Sequence, residues 1–395
     1  MLITLSDFRE EVKQELLRIL DYWMKYAVEK NGDGFYGVVN DKNIADEKAP
    51  KAIVINARIL WTFAAAHQLF PNKQYPVIAK RAFEYIKKYF VDEQYGGVYW
   101  SVASDGSPLQ TKKQLYGHSF AIYGLAEYYK ITNDEAVLQI AKDIFSKTIQ
   151  YGYDKVNGGY TEAFERDWTD TDDYILSRAP NSKSMNTHLH LLEAFTNLYR
   201  VWKTDESKVH LKHSIELMLD HIINKDTYRM TLFFTKDWQS RSNIISYGHD
   251  IECSWLLYEA AEVLGDEALI KKCKELSLQM AKAAVDGLAK DGAINYELDP
   301  ETHHLNDSKQ WWPQAEAMVG FYNAYELSGK VHYLEKSEKV WEFIKQYLVD
   351  KNNGEWCGGV DADHKILSCD KVTFWKGPYH NSRCCMEIWR RIEKE

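Results

Sequence analysis

The sequence predicts an all-α protein, an (α/α)6 barrel of six helical pairs with short β-hairpin-like loops, and three observations predict it. Nearly every segment carries apolar residues at three- and four-residue steps, the period of a helix with one buried face. Glycine-bearing aromatic punctuation recurs: Gly37, Gly97 and Gly159 lie 60 and 62 residues apart, and Gly292 and Gly354 are again 62 apart. Each period holds two helices, and a unit of that size cannot bury its apolar stripe without a neighbour. Six such pairs, with no polar capping unit at the C-terminus, favour a closed ring over an open solenoid.

Taken in chain order, the first helix is expected over 5–26 and ends at DGFYG around Gly37. The second, 52–70, sets Ile53, Ala57, Leu60 and Ala64 on one stripe, and the third follows over 75–90. YGGVYW around Gly97 leads into helices at 114–131 and 134–151, and NGGYTEA around Gly159 leads into 183–203 and 206–223. In the last of these, Ile215, Met218 and Ile222 repeat the helical step. Gly159 and Gly292 are 133 residues apart, about two periods, and DTYRMTLFF at 226–234 fills the middle without glycines. Helices at 247–264 and 266–285 come next, then DGAINYE around Gly292, helices at 309–328 and 331–348, NGEWCGG around Gly354, and a last helix at 380–393. Eight prolines are few for 395 residues, and most fall outside these segments, as helix interiors require. No low-complexity linker divides the chain, so residues 1–395 read as one catalytic domain.

Composition narrows the function classes. With 49 Lys plus Arg against 58 Asp plus Glu the net charge is −9, and no basic run interrupts it. Nucleic acid and anionic membrane are therefore poor partners. No apolar run approaches the ~20 residues that cross a bilayer. The acidic N-terminal segment does not read as a signal peptide. The six cysteines show no CxxC and no paired framework, which reads as a reduced, cytoplasmic protein. Thirteen Trp and 26 Tyr point mildly to sugar binding, since rings stack on pyranose faces, with core packing as the plain alternative.

Most of the thirteen histidines read as structural or exposed. Three stand out by their company. YGHDIECSWLLYEA places His249, Glu252 and Trp255 at successive three-residue steps near a helix start. A carboxylate one turn away can orient an imidazole and raise its pKa. An HxxE pair could also ligate a metal, but no further ligand has matching spacing. In KSMNTHLHLLEAF, His188 and His190 lie about 200° apart on a helix, so only one can face a central funnel. His188, two after Asn186, is the expected inward one and His190 its outward partner. FWKGPYHNSR sets His380 at the opening of the last helix, whose N-terminus depresses an imidazole pKa; the plain alternative is a capping residue. KQWWPQAEAM puts Trp312 and Glu316 on one helical face beside Trp311. NARILWTF buries Arg58 in an apolar helix, where it should meet an anion, a developing negative charge or an ion-pair partner.

NARILWTF, QLYGHSFAIYGLAEYY, KSMNTHLHLLEA, GHDIECSWLL, KQWWPQAEA and FWKGPYHNSR together resemble the N-acylglucosamine 2-epimerase superfamily, in order from residue 56 to 383. The resemblance implies the (α/α)6 barrel and interconversion at C2 of the reducing-end glucose of a β-1,4-linked disaccharide. It implies that His249 and His380 are the acid/base pair, that Arg58 holds the C1/C2 oxygens, and that His188 serves ring opening. It further implies that Glu252 orients His249 and that Glu316, Trp312 and Trp375 bind sugar; Tyr116 and Asn186 match in motif and are assigned to the pocket. No metal or nicotinamide is expected, and the chain has no Gly-rich phosphate loop. The expected partner is a small disaccharide, and the chain should be a monomer or weak dimer. Within the superfamily an N-acylglucosamine 2-epimerase or aldose–ketose isomerase is the runner-up. Outside it stand a glycoside hydrolase, which would need two carboxylates flanking the scissile bond, and a non-catalytic scaffold.

Overall fold

Two kinds of helix alternate along the chain, and their burial tells them apart. In the computed structural model, which describes residues 3–177 and 183–393, α2 (Ile53–Leu69) is buried on every side from Ile53 to Ala66. By contrast α5 (Glu135–Lys147) buries only Val137, Leu138, Ala141, Ile144 and Phe145, one face of the helix. The first kind is apolar all round because it is wrapped by protein; the second has a solvent face.

The inner helices are α2, α4 (Leu115–Thr132), α6 (Met185–Val201), α8 (Tyr247–Leu264), α10 (Trp311–Ser328) and α12 (Tyr379–Glu393). Each packs on the next, and α12 packs back on α2, so the ring closes. The outer helices are α1 (Leu5–Tyr22), α3 (Tyr75–Tyr85), α5, α7 (Asp205–Leu217), α9 (Glu267–Ala284) and α11 (Val331–Phe343). Here α1 packs on α12, joining the first helix of the chain to the last. All twelve sequence-derived helices are present within a few residues of their expected ends. What periodicity did not show is that α1, α3, α5, α7 and α11 each end in a five-residue π-helical turn.

The two ends of the barrel differ in their connections. Inner helices hand over to outer ones through tight turns: Asn133, Gly265 and Gly329 take left-handed conformations, and Asp134 and Asp266 cap α5 and α9. Outer helices return through long segments that open with a hairpin, bridged at Val28–Phe35, Val91–Val98, Tyr153–Tyr160, Ile223–Met230, Leu288–Ile294 and Val349–Trp356. The repeated punctuation of the sequence is this hairpin. It sits over the N-terminus of the next inner helix, so the long loops and six helix N-termini share one mouth. One expectation fails in this region: Cys357 and Cys369 form a disulfide, with Cα atoms 4.2 Å apart. Antiparallel pairing of Gly359 with Ser368 brings them together, which spacing alone hides. The other four cysteines are free and buried.

Candidate active site

Aligning the inner helices by their first residues explains what each polar position does. The fourth residues are Asn56, His118, His188, Asp250 and Gln314, all buried. Four of them latch a hairpin. His118 Nε2 accepts the Val98 N–H at 3.2 Å and His188 Nε2 accepts the Tyr160 N–H at 2.9 Å. Asp250 accepts the Met230 N–H and Gln314 the Ile294 N–H, each at 2.8 Å. The glycines exist for this approach: a Cβ on Gly97 would lie 2.4 Å from His118 Nε2, and one on Gly159 would lie 2.9 Å from His188 Nε2. Both take φ near +75° as well, which side chains resist.

The sixth residues of α2, α4, α6, α8 and α10 are Arg58, Phe120, His190, Glu252 and Glu316, and Arg383 of α12 joins their layer. Above them an axial cavity of about 350 Å³ opens at the loop mouth. Arg58, Tyr116, Asn186, His249, Glu252, Trp312, Trp375 and His380 line it, as the sequence led one to expect. His190, Tyr296, Gln310, Trp311 and Leu176 line it too. A larger groove of about 1010 Å³ runs along α1 and the end of α11, but it is an open surface feature without an imidazole in its wall.

Four placements are corrected: His188, Glu252, Trp255 and Glu316. His188 does not reach the cavity; both its nitrogens are engaged, Nδ1 with the Ser184 carbonyl at 2.8 Å and Nε2 with the hairpin. His190 is the inward one, and the periodic match of His188 to His118, each five residues after a lysine, was the available signal. Glu252 does not orient His249, whose Nδ1 meets Ser246 Oγ at 2.8 Å instead; Glu252 accepts from Arg383 at 2.8 Å. Trp255 and Glu316 lie beneath the cavity floor. The Trp255 ring backs the Arg383 guanidinium at 4.8 Å and its Nε1 donates to Glu316 at 3.2 Å. Glu316 is the carboxylate that meets an imidazole: its Oε1 lies 2.6 Å from His380 Nδ1. An acceptor at Nδ1 leaves His380 Nε2 for the cavity.

Electrostatics keep the imidazoles neutral. Burial pushes His249 down to about 3. Burial, then the charges of Arg58 and Arg383, hold His380 well below its ordinary value. Burial also lowers His190, against the pull of Glu193 at 3.0 Å. Burial would raise Glu193, but the Arg383 charge and hydrogen bonds hold it at about 2. Glu252 is pushed well above the carboxylate range by burial and by the neighbouring Glu316. Glu252, Glu316 and His380 bring polar atoms within 4.8 Å of one another, and Arg383 already supplies the cation among them.

Arg58 is the other cation. Its Nη2 donates to the Tyr116 hydroxyl at 3.0 Å, its Nη1 to the Trp375 carbonyl at 2.9 Å, and its plane lies 4.3 Å from the Phe120 ring. No carboxylate pairs with it among the described residues, so its charge is available to an anion in the cavity. Trp312 lies against both His249 and His380, ring centroids 4.5 and 5.9 Å away.

Neutral imidazoles around an uncompensated guanidinium, in a sugar-sized cavity walled by tryptophan, define a class: carbohydrate isomerases that move a proton. Residues 34–384 match the N-acylglucosamine 2-epimerase family, and the chain belongs to it. It is 44% identical over 384 residues to the cellobiose 2-epimerase of Bacteroides fragilis, covering 96% of this chain and 98% of that one. The cellobiose 2-epimerase of Ruminococcus albus is 39% identical over 386 residues, covering 96% and 98%. Among solved structures, the cellobiose 2-epimerase from Bacillus thermoamylovorans superposes with a TM-score of 0.93 at 35% identity, covering 98% of this chain and 100% of that one.

Proposed function

We propose that this chain, acting as a single catalytic domain over residues 1–395, epimerises C2 of the reducing-end glucose of β-1,4-linked disaccharides. Cellobiose would give glucosyl-mannose and lactose would give epilactose, with mannobiose a further substrate. The observation that carries the reading is the pair of neutral imidazoles, His249 and His380, facing one cavity with Arg58. Abstraction α to an aldehyde needs a base unprotonated at neutral pH and a cation at the forming oxyanion. One histidine takes the C2 proton; the electron pair moves into the C1–C2 bond and the charge onto O1, where Arg58 donates. The other histidine, having taken a proton from solvent, delivers it to the opposite face of C2, and the first releases the abstracted proton to solvent, so that both are neutral again. His190, held by Glu193, takes over the ring-opening role first assigned to His188. Proton transfer of this kind requires no metal, so activity is expected to survive EDTA; loss on chelation and recovery with one divalent ion would overturn that part.

The decisive experiment incubates the protein with cellobiose, lactose, mannobiose and N-acetylglucosamine in D₂O and resolves the products. Epimers of unchanged composition carrying deuterium at C2 are expected from the disaccharides. Release of free glucose would mean hydrolysis, and no exchange at C2 would mean a binding protein. The reading includes a cytoplasmic location, argued from the acidic composition and against the Cys357–Cys369 bond, and a monomer or weak dimer, which sedimentation tests.

A further inference from the structure

Beneath the cavity floor lies a guanidinium that the proton transfers do not use. Arg383 is 1% exposed. Its Nη1 donates to Glu193 Oε1 and to the Tyr379 hydroxyl, and Tyr379 also donates to Glu193. Its Nη2 donates to Glu252 Oε1 at 2.8 Å and Glu316 Oε1 at 2.7 Å. Two of these carboxylates reach onward to imidazoles: Glu193 Oε2 to His190 Nδ1 at 3.0 Å, and Glu316 Oε1 to His380 Nδ1 at 2.6 Å. An unbroken chain His190–Glu193–Arg383–Glu316–His380 therefore runs from α6 to α12, across to α10 and back to α12. His249 stands outside it, held by Ser246.

We infer that Arg383 is a positioning residue that couples the two sides of the site, so that His190 and His380 take their working orientation and tautomer together. The inference rests on the proton-transfer reading above. The guanidinium fork is planar and rigid, and it packs against the Trp255 and Tyr379 rings at 4.8 and 4.3 Å. A carboxylate that turns on one side must break its bond or turn the fork, and the fork carries the other carboxylate with it. The packing leaves little room for a half-response. Such a device suits a reaction that needs ring opening and C2 deprotonation in one cavity, because both depend on imidazoles presenting Nε2.

The test uses Glu193→Gln, which keeps the side-chain shape, is far along the chain from His380, and removes one of Arg383's anionic partners. Spectra of ¹⁵N-histidine-labelled protein at pH 7 report each ring's tautomer, and steady-state kinetics on cellobiose report kcat and KM. The expected result is that His380 signals change along with those of His190, and that kcat falls at least about tenfold with KM within about threefold, as misplaced groups cost rate more than affinity. If only the His190 signals change, the coupling is absent and the inference fails, whatever the activity. Should Glu193→Gln not fold, Arg383→Lys keeps the charge and loses the fork. A change in both rings supports the coupling, and parent-like signals for both overturn it. The spectra decide the inference even if the parent shows no exchange at C2, an outcome that would sink the proposed function alone.

Discussion

The fourth and sixth residues of the inner helices are two layers of one ring, equally buried and only two positions apart, yet they do opposite work. In the fourth layer the polar groups end on hairpin backbone: His118, His188, Asp250 and Gln314 each accept an N–H from the loop above. In the sixth layer Arg58, His190, Glu252 and Glu316 all reach the cavity or the floor under it. Histidine occurs in both, so the residue type does not mark the chemistry. What marks it is where the second ring nitrogen goes. His188 has both nitrogens bonded within the fold, whereas His190 has Nδ1 on Glu193 and its other edge in the cavity wall.

The largest effects expected lie above both layers, at His249 and His380. Replacing either by Ala should lower kcat about 10² to 10⁴-fold, the usual contribution of a general acid or base, while the melting temperature changes little. Near-parent turnover in either variant would remove that histidine from the mechanism.

The comparison itself is broken or kept by one pair of variants. In α10 the fourth position is already glutamine, and Gln314 makes both latch contacts, accepting the Ile294 N–H at 2.8 Å and donating to the Gln310 carbonyl at 3.2 Å. His188→Gln should therefore fold and turn over much as the parent does. His190→Gln should lose about 10²-fold or more in kcat, because an amide cannot exchange a proton there. If the two variants exchange outcomes, the assignment of layers is wrong. His188→Ala is a third arm: it orphans the Tyr160 N–H and should cost about 1–3 kcal/mol of stability.

Much of this is legible in the sequence. The twelve helices, their pairing and the ring closure followed from a 62-residue period, since each unit had to find a partner for its stripe. His249, His380, Arg58 and Trp312 were singled out by local motifs, and Trp375 by the family resemblance. What failed was depth and rotation. Choosing between His188 and His190 needed the register of all the inner helices, and the Glu316–His380 and Ser246–His249 pairs depend on side-chain directions that spacing leaves open. The Cys357–Cys369 bond depended on a strand pairing, which no cysteine pattern encodes.

The fourth layer also carries a response to acid. Burial lowers His118 to about 3 and His188 to about 4. A buried neutral imidazole binds its proton later than the same group in the unfolded chain, so the unfolded state takes up protons first as pH falls. The stability these groups support is complete above the ordinary value near 6.5 and is lost progressively toward 4. At pH 5.5 each should have cost about 1 kcal/mol. Melting temperature should therefore fall from pH 7 to pH 5, and the slope should be shallower in His188→Gln, whose amide does not titrate. An unchanged slope would mean that His188 is not a buried neutral latch. Catalysis responds differently: with its base already neutral, kcat should hold below pH 6.5 as long as the fold does.

The smallest effect concerns the two tryptophans, which the sequence treated alike and the structure separates. Trp312 is locked between His249 and His380, so its truncation would loosen both bases. Trp375 is 39% exposed at the mouth and packs against Trp100 and Tyr116 at an angle. In the proposed reaction the glucose must sit below it, within reach of both histidines, which would leave the second sugar at the level of Trp375. A stacked ring there contributes about 1 kcal/mol, by analogy with aromatic pairs. If the contact persists unchanged into the transition state it alters KM alone, so Trp375→Ala should raise KM for cellobiose about fivefold and leave kcat near the parent value. Trp312→Ala should instead lower kcat, on any sugar. Glucose, which lacks the second ring, separates the two further: Trp375→Ala should treat it as the parent does, and Trp312→Ala should not. A Trp375→Ala enzyme that melts normally and keeps the parent's KM for cellobiose would show that the second sugar lies elsewhere in the mouth, and Tyr296 would be the next aromatic to test.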